Sequence, residues 1–109
     1  MAVLDPIKRG PDRPEWTFLS NHGHVLVCLA SDPEMRVRDV AVLVGIGERA
    51  VQGILNDLAA AGYITRERVG RRNRYELQTD KPLRHPLEGD RNLGDLVTAL
   101  TTKPGDTTP

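Results

Sequence analysis

Residues Arg36–Leu77 read RVRDVAVLVGIGERAVQGILNDLAAAGYITRERVGRRNRYEL, and the fold turns on how this stretch divides. Within Glu48–Ala61 the apolar residues Ala50, Val51, Ile54, Leu55 and Leu58 recur at helical spacing, which predicts a helix with one buried stripe. Gly62 stops it. What remains is a polar set, Arg49, Gln52 and Asn56, spaced i, i+3, i+7 and so sharing one exposed face. Gly53 sits beside them; a helix-interior glycine costs about 1 kcal/mol relative to alanine but clears space for close approach. Upstream, Val40, Ala41, Leu43 and Val44 supply the apolar surface of a shorter helix over Asp39–Val44, closed by Gly45 in the left-handed position that favours glycine. Downstream, Tyr63–Val69 and Arg74–Leu77 read as two strands. Gly70 and Asn73 bracket their connection and tolerate the positive φ of tight turns, which makes a β-hairpin with Arg71 and Arg72 at its tip.

The hairpin is also where charge gathers. Ile64–Leu77 holds five arginines against two glutamates, a third of the 15 basic side chains in a chain of zero formal net charge. A neutral total does not argue against a polyanionic partner, because local accumulation is what that partner meets.

Outside this stretch the signals are simpler. Asn21–Ala30 is apolar nearly all round, with Ser20 as N-cap and Asp32-Pro33 as the stop, and predicts a helix central to the core. Met35 and Val37 with their neighbouring arginines predict a short extended piece. Leu93, Leu96, Val97 and Leu100 have the period of a short C-terminal helix, with Asn92 as N-cap and Asp95 well placed in the first turn. Residues 1–15 carry three prolines and alternating charges and read as a flexible arm; 101–109 read as a disordered tail. The expected organisation is thus an arm (1–15), a unit of three helices and the hairpin (16–80), a linker and C-terminal helix (81–100) and a tail (101–109).

At 109 residues the chain has room for one modest core. Its single cysteine, Cys28, excludes an intramolecular disulfide, and with no signal-peptide pattern and no long apolar run the expected location is cytoplasmic.

The order helix, extended piece, helix, tight turn, helix, hairpin, helix resembles the winged helix-turn-helix regulators of the MarR and ArsR type. Phe18–Leu77 carries the resemblance: the first part of the quoted stretch is similar to the helix-turn-helix, with Ala41 allowing close packing. "LAAAGYITR" is similar to the exit from a recognition helix, and "GRRNRYEL" to an ArsR-type wing and its return strand. The resemblance implies a mainly α fold with a small β-hairpin, a three-helix core plus wing and an extra C-terminal helix. It also implies a homodimeric DNA-binding repressor without catalysis or cofactor. Two departures stand out. Gly47 replaces the Ser or Thr that often caps the recognition helix, and the paired-cysteine metal motif of many ArsR-type sensors is absent.

The residues support the same reading independently. Arg49, Gln52 and Asn56 are types able to make two-point contacts with guanine or adenine in the major groove. Arg71 and Arg72 suit the negative potential of the minor groove beside it. Arg68 and Arg74 flank that groove as phosphate contacts, with Asn73 between them, and Arg38 is placed for an adjacent phosphate. Trp16 and Phe18, with Leu93, Leu96, Val97 and Leu100, are expected at a two-fold dimer interface. The competing readings are a winged helix docking an acidic protein, or one binding structured RNA. A protein-docking face should carry aromatic anchors, and this polar face has none. The His22, His24 and Cys28 group has one helical spacing suited to a metal, but Cys28 reads as a buried small apolar residue on a buried helix, so no metal site is expected, and a redox role would need an exposed thiol. No P-loop, dinucleotide fingerprint or metalloprotease motif is present.

Overall fold

A computed structural model describes residues 14–101 of the chain. The elements are α1 (Asn21–Ser31), α2 (Val37–Val44), α3 (Glu48–Ala60), β1 (Ile64–Val69), β2 (Arg72–Leu77), a 3-10 turn (Pro86–Glu88) and α4 (Leu93–Thr101). This is a winged helix-turn-helix: three helices in the core, one antiparallel hairpin and a fourth helix returning to the first. The arm expected over 1–15 and the tail expected over 101–109 fall outside the described residues, except for Pro14, Glu15 and Thr101; the last belongs to α4.

Helix α1 begins where the Ser20 hydroxyl accepts from the Gly23 N–H, and it ends at Asp32, ahead of Pro33. Val25 to Leu29 are all buried, five in a row. A helix can hide five consecutive residues only if neighbours surround it, and α2, α3, α4 and β2 all pack against α1.

The connection to α2 differs from the extended piece expected at Met35 and Val37. Asp32 folds this segment into a turn: its carboxylate accepts from the Glu34 N–H at 3.0 Å, and its carbonyl accepts from the Met35 N–H at 3.0 Å. One ladder-like link survives, the Tyr75 N–H donating to the Pro33 carbonyl at 2.8 Å. Val37 therefore opens α2, two residues earlier than the apolar pattern alone suggests.

The turn between α2 and α3 is made by Gly45, whose φ of 86° and ψ of 36° are left-handed. The N–H groups of Gly45 and Ile46 both donate to the Ala41 carbonyl, at 2.7 and 3.1 Å, so the last turn of α2 closes on itself while the chain reverses. Ala41 is buried, and its small side chain lets α2 and α3 approach. Val51, Ile54, Leu55 and Leu58 are buried on α3 as expected, but Ala50 is exposed. At 3.6 residues per turn it lies about 90° from the centre of that stripe, on its rim.

The hairpin pairs Ile64 with Leu77 through to Val69 with Arg72. Its loop is therefore the two residues Gly70 and Arg71, with φ of 63° at Gly70, and a glycine in the first loop position is the mark of a type II′ turn. Asn73 does not share the turn. It lies in β2 opposite Arg68, and the only positive-φ residues among those described are Gly45, Gly62 and Gly70. Tyr63 precedes β1 rather than starting it. Its N–H donates to the Leu58 carbonyl to finish α3, and its hydroxyl donates to the Pro82 carbonyl at 2.6 Å.

Helix α4 starts with a reciprocal cap: the Asp95 N–H donates to the Asn92 side chain at 2.9 Å and the Asn92 N–H to the Asp95 carboxylate at 3.0 Å. Its Leu93 and Val97 enter the same core cluster as α1, α3 and the hairpin. No helix among the described residues is long and apolar enough to cross a membrane.

Because Gly45 holds a left-handed backbone on which the helix-turn-helix depends, Gly45→Ala should cost about 1–2 kcal/mol of stability. Urea unfolding measures it; unchanged stability would contradict the role given to this turn.

Candidate nucleic-acid interface

Burying Val51, Ile54, Leu55 and Leu58 turns the opposite side of α3 to solvent, and Arg49, Gln52 and Asn56 are all exposed there. Gly53 lies on the same outer line. A Cβ added to it would meet no atom within 4 Å. Internal packing thus gives no reason for a glycine that weakens the helix, while a surface that must be approached closely from outside does.

Helix ends distinguish the same pair of elements. Helix α1 and helix α4 begin with side-chain caps, whereas α2 (N-cap Arg36) and α3 (N-cap Gly47) have none. Their first N–H groups remain available to water or to phosphate oxygens. Arg38 is exposed in the first turn of α2.

The pairing register sorts the wing into two faces, since directly opposed residues of an antiparallel pair project to the same side. Ile64, Leu77, Arg66, Tyr75, Arg68 and Asn73 share the inner face; Thr65, Glu76, Glu67, Arg74, Val69 and Arg72 share the outer one. At the base of the hairpin Ile64 and Tyr75 are buried, so the inner face is the one applied to the helices. Toward the tip that face carries two arginines and no acid. The outer face carries two arginines against two glutamates.

This division alters the expected site. Arg68 and Arg74, read as a flanking pair, lie on opposite faces, and Arg74 stands directly across from Glu67. Arg68 bends to the tip, donating from Nε to the Gly70 carbonyl at 3.1 Å. Asn73 is half-buried opposite it. Arg71 and Arg72 occupy the tip and, with Arg36 and Asn73, line an open cleft of about 380 Å³ against the start of α2. Arg66, which sequence reasoning passed over, links the two halves of the surface: its Nη2 donates to the Asn56 Oδ1 at 3.1 Å. Strand alternation was the signal that pointed to it, once the register was known. Among the described residues no arginine has a carboxylate within ion-pair distance, although Glu67 and Glu76 lie in the same hairpin.

The residues expected at a dimer interface divide as well. Trp16 and Phe18 are 69% and 93% exposed and stack edge to face with ring centroids 5.1 Å apart. Leu96 and Leu100 are half-buried. Leu93 and Val97, by contrast, are buried in the chain's own core, because α4 turns them onto α1, leaving them 1% and 7% exposed. Phe18 also borders a groove of about 610 Å³ floored by Leu26, Leu58, Leu93 and Leu96.

The histidines and cysteine do not converge. His22 Nε2 lies 2.8 Å from the Asp57 carboxylate, tying the start of α1 to α3, while Cys28 is buried and its thiol is pushed from 9.0 up to about 11 by burial. A neutral, enclosed thiol is a packing residue and a poor redox sensor. Among the described residues no cluster of three or more His, Cys, Asp or Glu side chains is placed to hold a metal.

The Gly53 geometry makes a direct prediction. Gly53→Ala should raise the stability of the free protein by about 0.5–1 kcal/mol in urea unfolding; a decrease would show that the glycine is needed by the fold itself.

No protein-family model matches the chain, and no curated protein matches its sequence. Among solved structures the chain is similar to MepR, a transcription regulator of the Staphylococcus aureus multidrug efflux pump MepA, with a TM-score of 0.53 and 21% sequence identity over 74% of this chain. The match spans 53% of MepR, so the chain corresponds to about half of that protein's length. At this identity the likeness establishes the winged-helix fold.

Proposed function

We propose that the chain is a sequence-specific, double-stranded DNA-binding transcription regulator that reads the major groove with α3 and grips the flanking groove with the wing. One observation carries this reading. The exposed polar face of α3 and the acid-free inner face of the wing are joined on one side of the molecule by the Arg66–Asn56 hydrogen bond, and the arginines there have no carboxylate partners among the described residues. A helix fits the major groove, where Arg49, Gln52 and Asn56 are suited to reading base edges. Arginines alongside it meet phosphates or the narrow minor groove, and supply affinity and register. The likeness to MepR, whose name describes a transcription regulator, points the same way.

Repression is the simplest output of such a surface, because occupying an operator is enough to block it. No catalytic step is part of this reading. A dimer suits it: one short helix and one wing make a small footprint, and a two-fold pair reads two half-sites about 34 Å apart. The exposed Trp16–Phe18 pair, with Leu96 and Leu100, is the surface we assign to that contact. The expected location is the cytoplasm.

Two outcomes test the reading. Arg71→Ala combined with Arg72→Ala should weaken binding to every duplex and reduce the slope of log K against log salt by roughly 0.9 for each phosphate that is no longer neutralised. Binding that is unchanged removes the wing from the interface. Light scattering at micromolar concentration should give a dimer that Phe18→Ala weakens; a monomeric wild-type protein contradicts the two-fold arrangement.

A further inference from the structure

The hydrogen bond between β1 and α3 has a chemical consequence beyond holding the wing in place. A guanidinium has five N–H donors and no acceptor, so the group Asn56 turns toward Arg66 must be its oxygen. An exposed asparagine ordinarily turns its amide over at little cost, presenting oxygen and nitrogen in either order. Here the reversed amide would set its N–H groups against the cation's N–H groups. Oδ1 is therefore held on the wing side of α3, and Nδ2 on the side away from it. Both partners are exposed, and among the described residues no carboxylate competes for Arg66, so the bond sets the orientation of an otherwise unconstrained side chain.

We infer that Arg66 is a positioning residue that fixes the polarity with which Asn56 reads a base pair. The inference rests on the DNA-binding reading above. Two-point recognition of adenine needs the amide nitrogen donating to N7 and the amide oxygen accepting from the N6 amino group. The oxygen has two lone pairs, so one serves Arg66 while the other serves the base. With oxygen fixed on the wing side, the adenine N6 must also lie on that side. Asn56 then accepts A·T in one orientation and rejects T·A. Guanine is disfavoured too, because its O6 and N7 are both acceptors and one would face the fixed oxygen. The same bond makes the wing and the reading helix a single unit: displacing β1 releases the amide.

The test is selection from a duplex library randomised at every position, performed with wild type, Asn56→Ala, Arg66→Ala, Arg66→Lys and the Asn56→Ala/Arg66→Ala double variant. Wild type should select one oriented A·T pair in each half-site that Asn56→Ala no longer selects. Arg66→Ala should lose discrimination at that same pair by roughly fivefold or more. Arg66→Lys, which keeps a cationic donor, should retain part of it, and the double variant should be no worse at that pair than Asn56→Ala alone. A damaged fold or a missing bond to phosphate weakens all positions together and cannot produce a defect at one pair. Arg66→Ala that weakens every duplex equally, with the selected sequence unchanged, overturns the inference and leaves the DNA-binding reading standing. A wild-type protein that selects no sequence overturns the reading and this inference together.

Discussion

Helix α1 is buried along five consecutive residues, and α2, α3, β2 and α4 take their places by what they lay against that helix. Val40 and Ala41 of α2, Val51 and Leu55 of α3, Tyr75 of the hairpin and Leu93 and Val97 of α4 all join the cluster around Val25, Leu26, Cys28 and Leu29. Full burial of a Leu, Ile or Val side chain is worth roughly 1.5–3 kcal/mol, so these contacts dominate the choice of orientation for short helices that are marginal on their own. Function follows from the remainder. Once α3 has committed Val51, Ile54, Leu55 and Leu58 to the core, only its polar side can face outward.

The electrostatics of the molecule depend on the hairpin register in the same way. A formal net charge of zero conceals an inner wing face with arginines alone and an outer face where arginines and glutamates balance. Shifting the register by one residue would exchange the two faces, and Ile64 and Tyr75 fix it by entering the core. Hydrophobic burial at the base of the wing therefore determines where positive charge is displayed at its tip. The missing side-chain caps on α2 and α3 and the unpacked Gly53 belong to the same surface, where local stability is given up on the side that a partner would approach.

Much of this was legible in the sequence because it was written in strong periodicities and breakers. The helices over 21–30 and 48–61, the Gly45 turn, the hairpin and the capped C-terminal helix all emerge from apolar spacing and the positions of glycine, proline and Asn92. What the sequence left open has a common physical source. Apolar periodicity says that Leu93 and Val97 face a partner surface, but not whether that surface is the same chain's α1 or a second copy. The sequence puts Arg68 and Arg74 on the two strands as contacts flanking the groove, but only the register shows that they lie on opposite faces. Met35 and Val37 suit an extended segment by residue type, whereas the Asp32 side chain closes a turn there. Arg66 went unnoticed because its role depends on a residue ten positions away on another element.

The most direct measurement is a fluorescence anisotropy titration of the wild-type protein with two labelled duplexes, one from upstream of its own gene and one of random sequence, each at several salt concentrations. Tight binding that favours the upstream duplex is expected, with affinity falling steeply as salt rises. Failure to bind either duplex at low salt would contradict it, and would turn the exposed face of α3 and the wing toward an acidic protein partner instead.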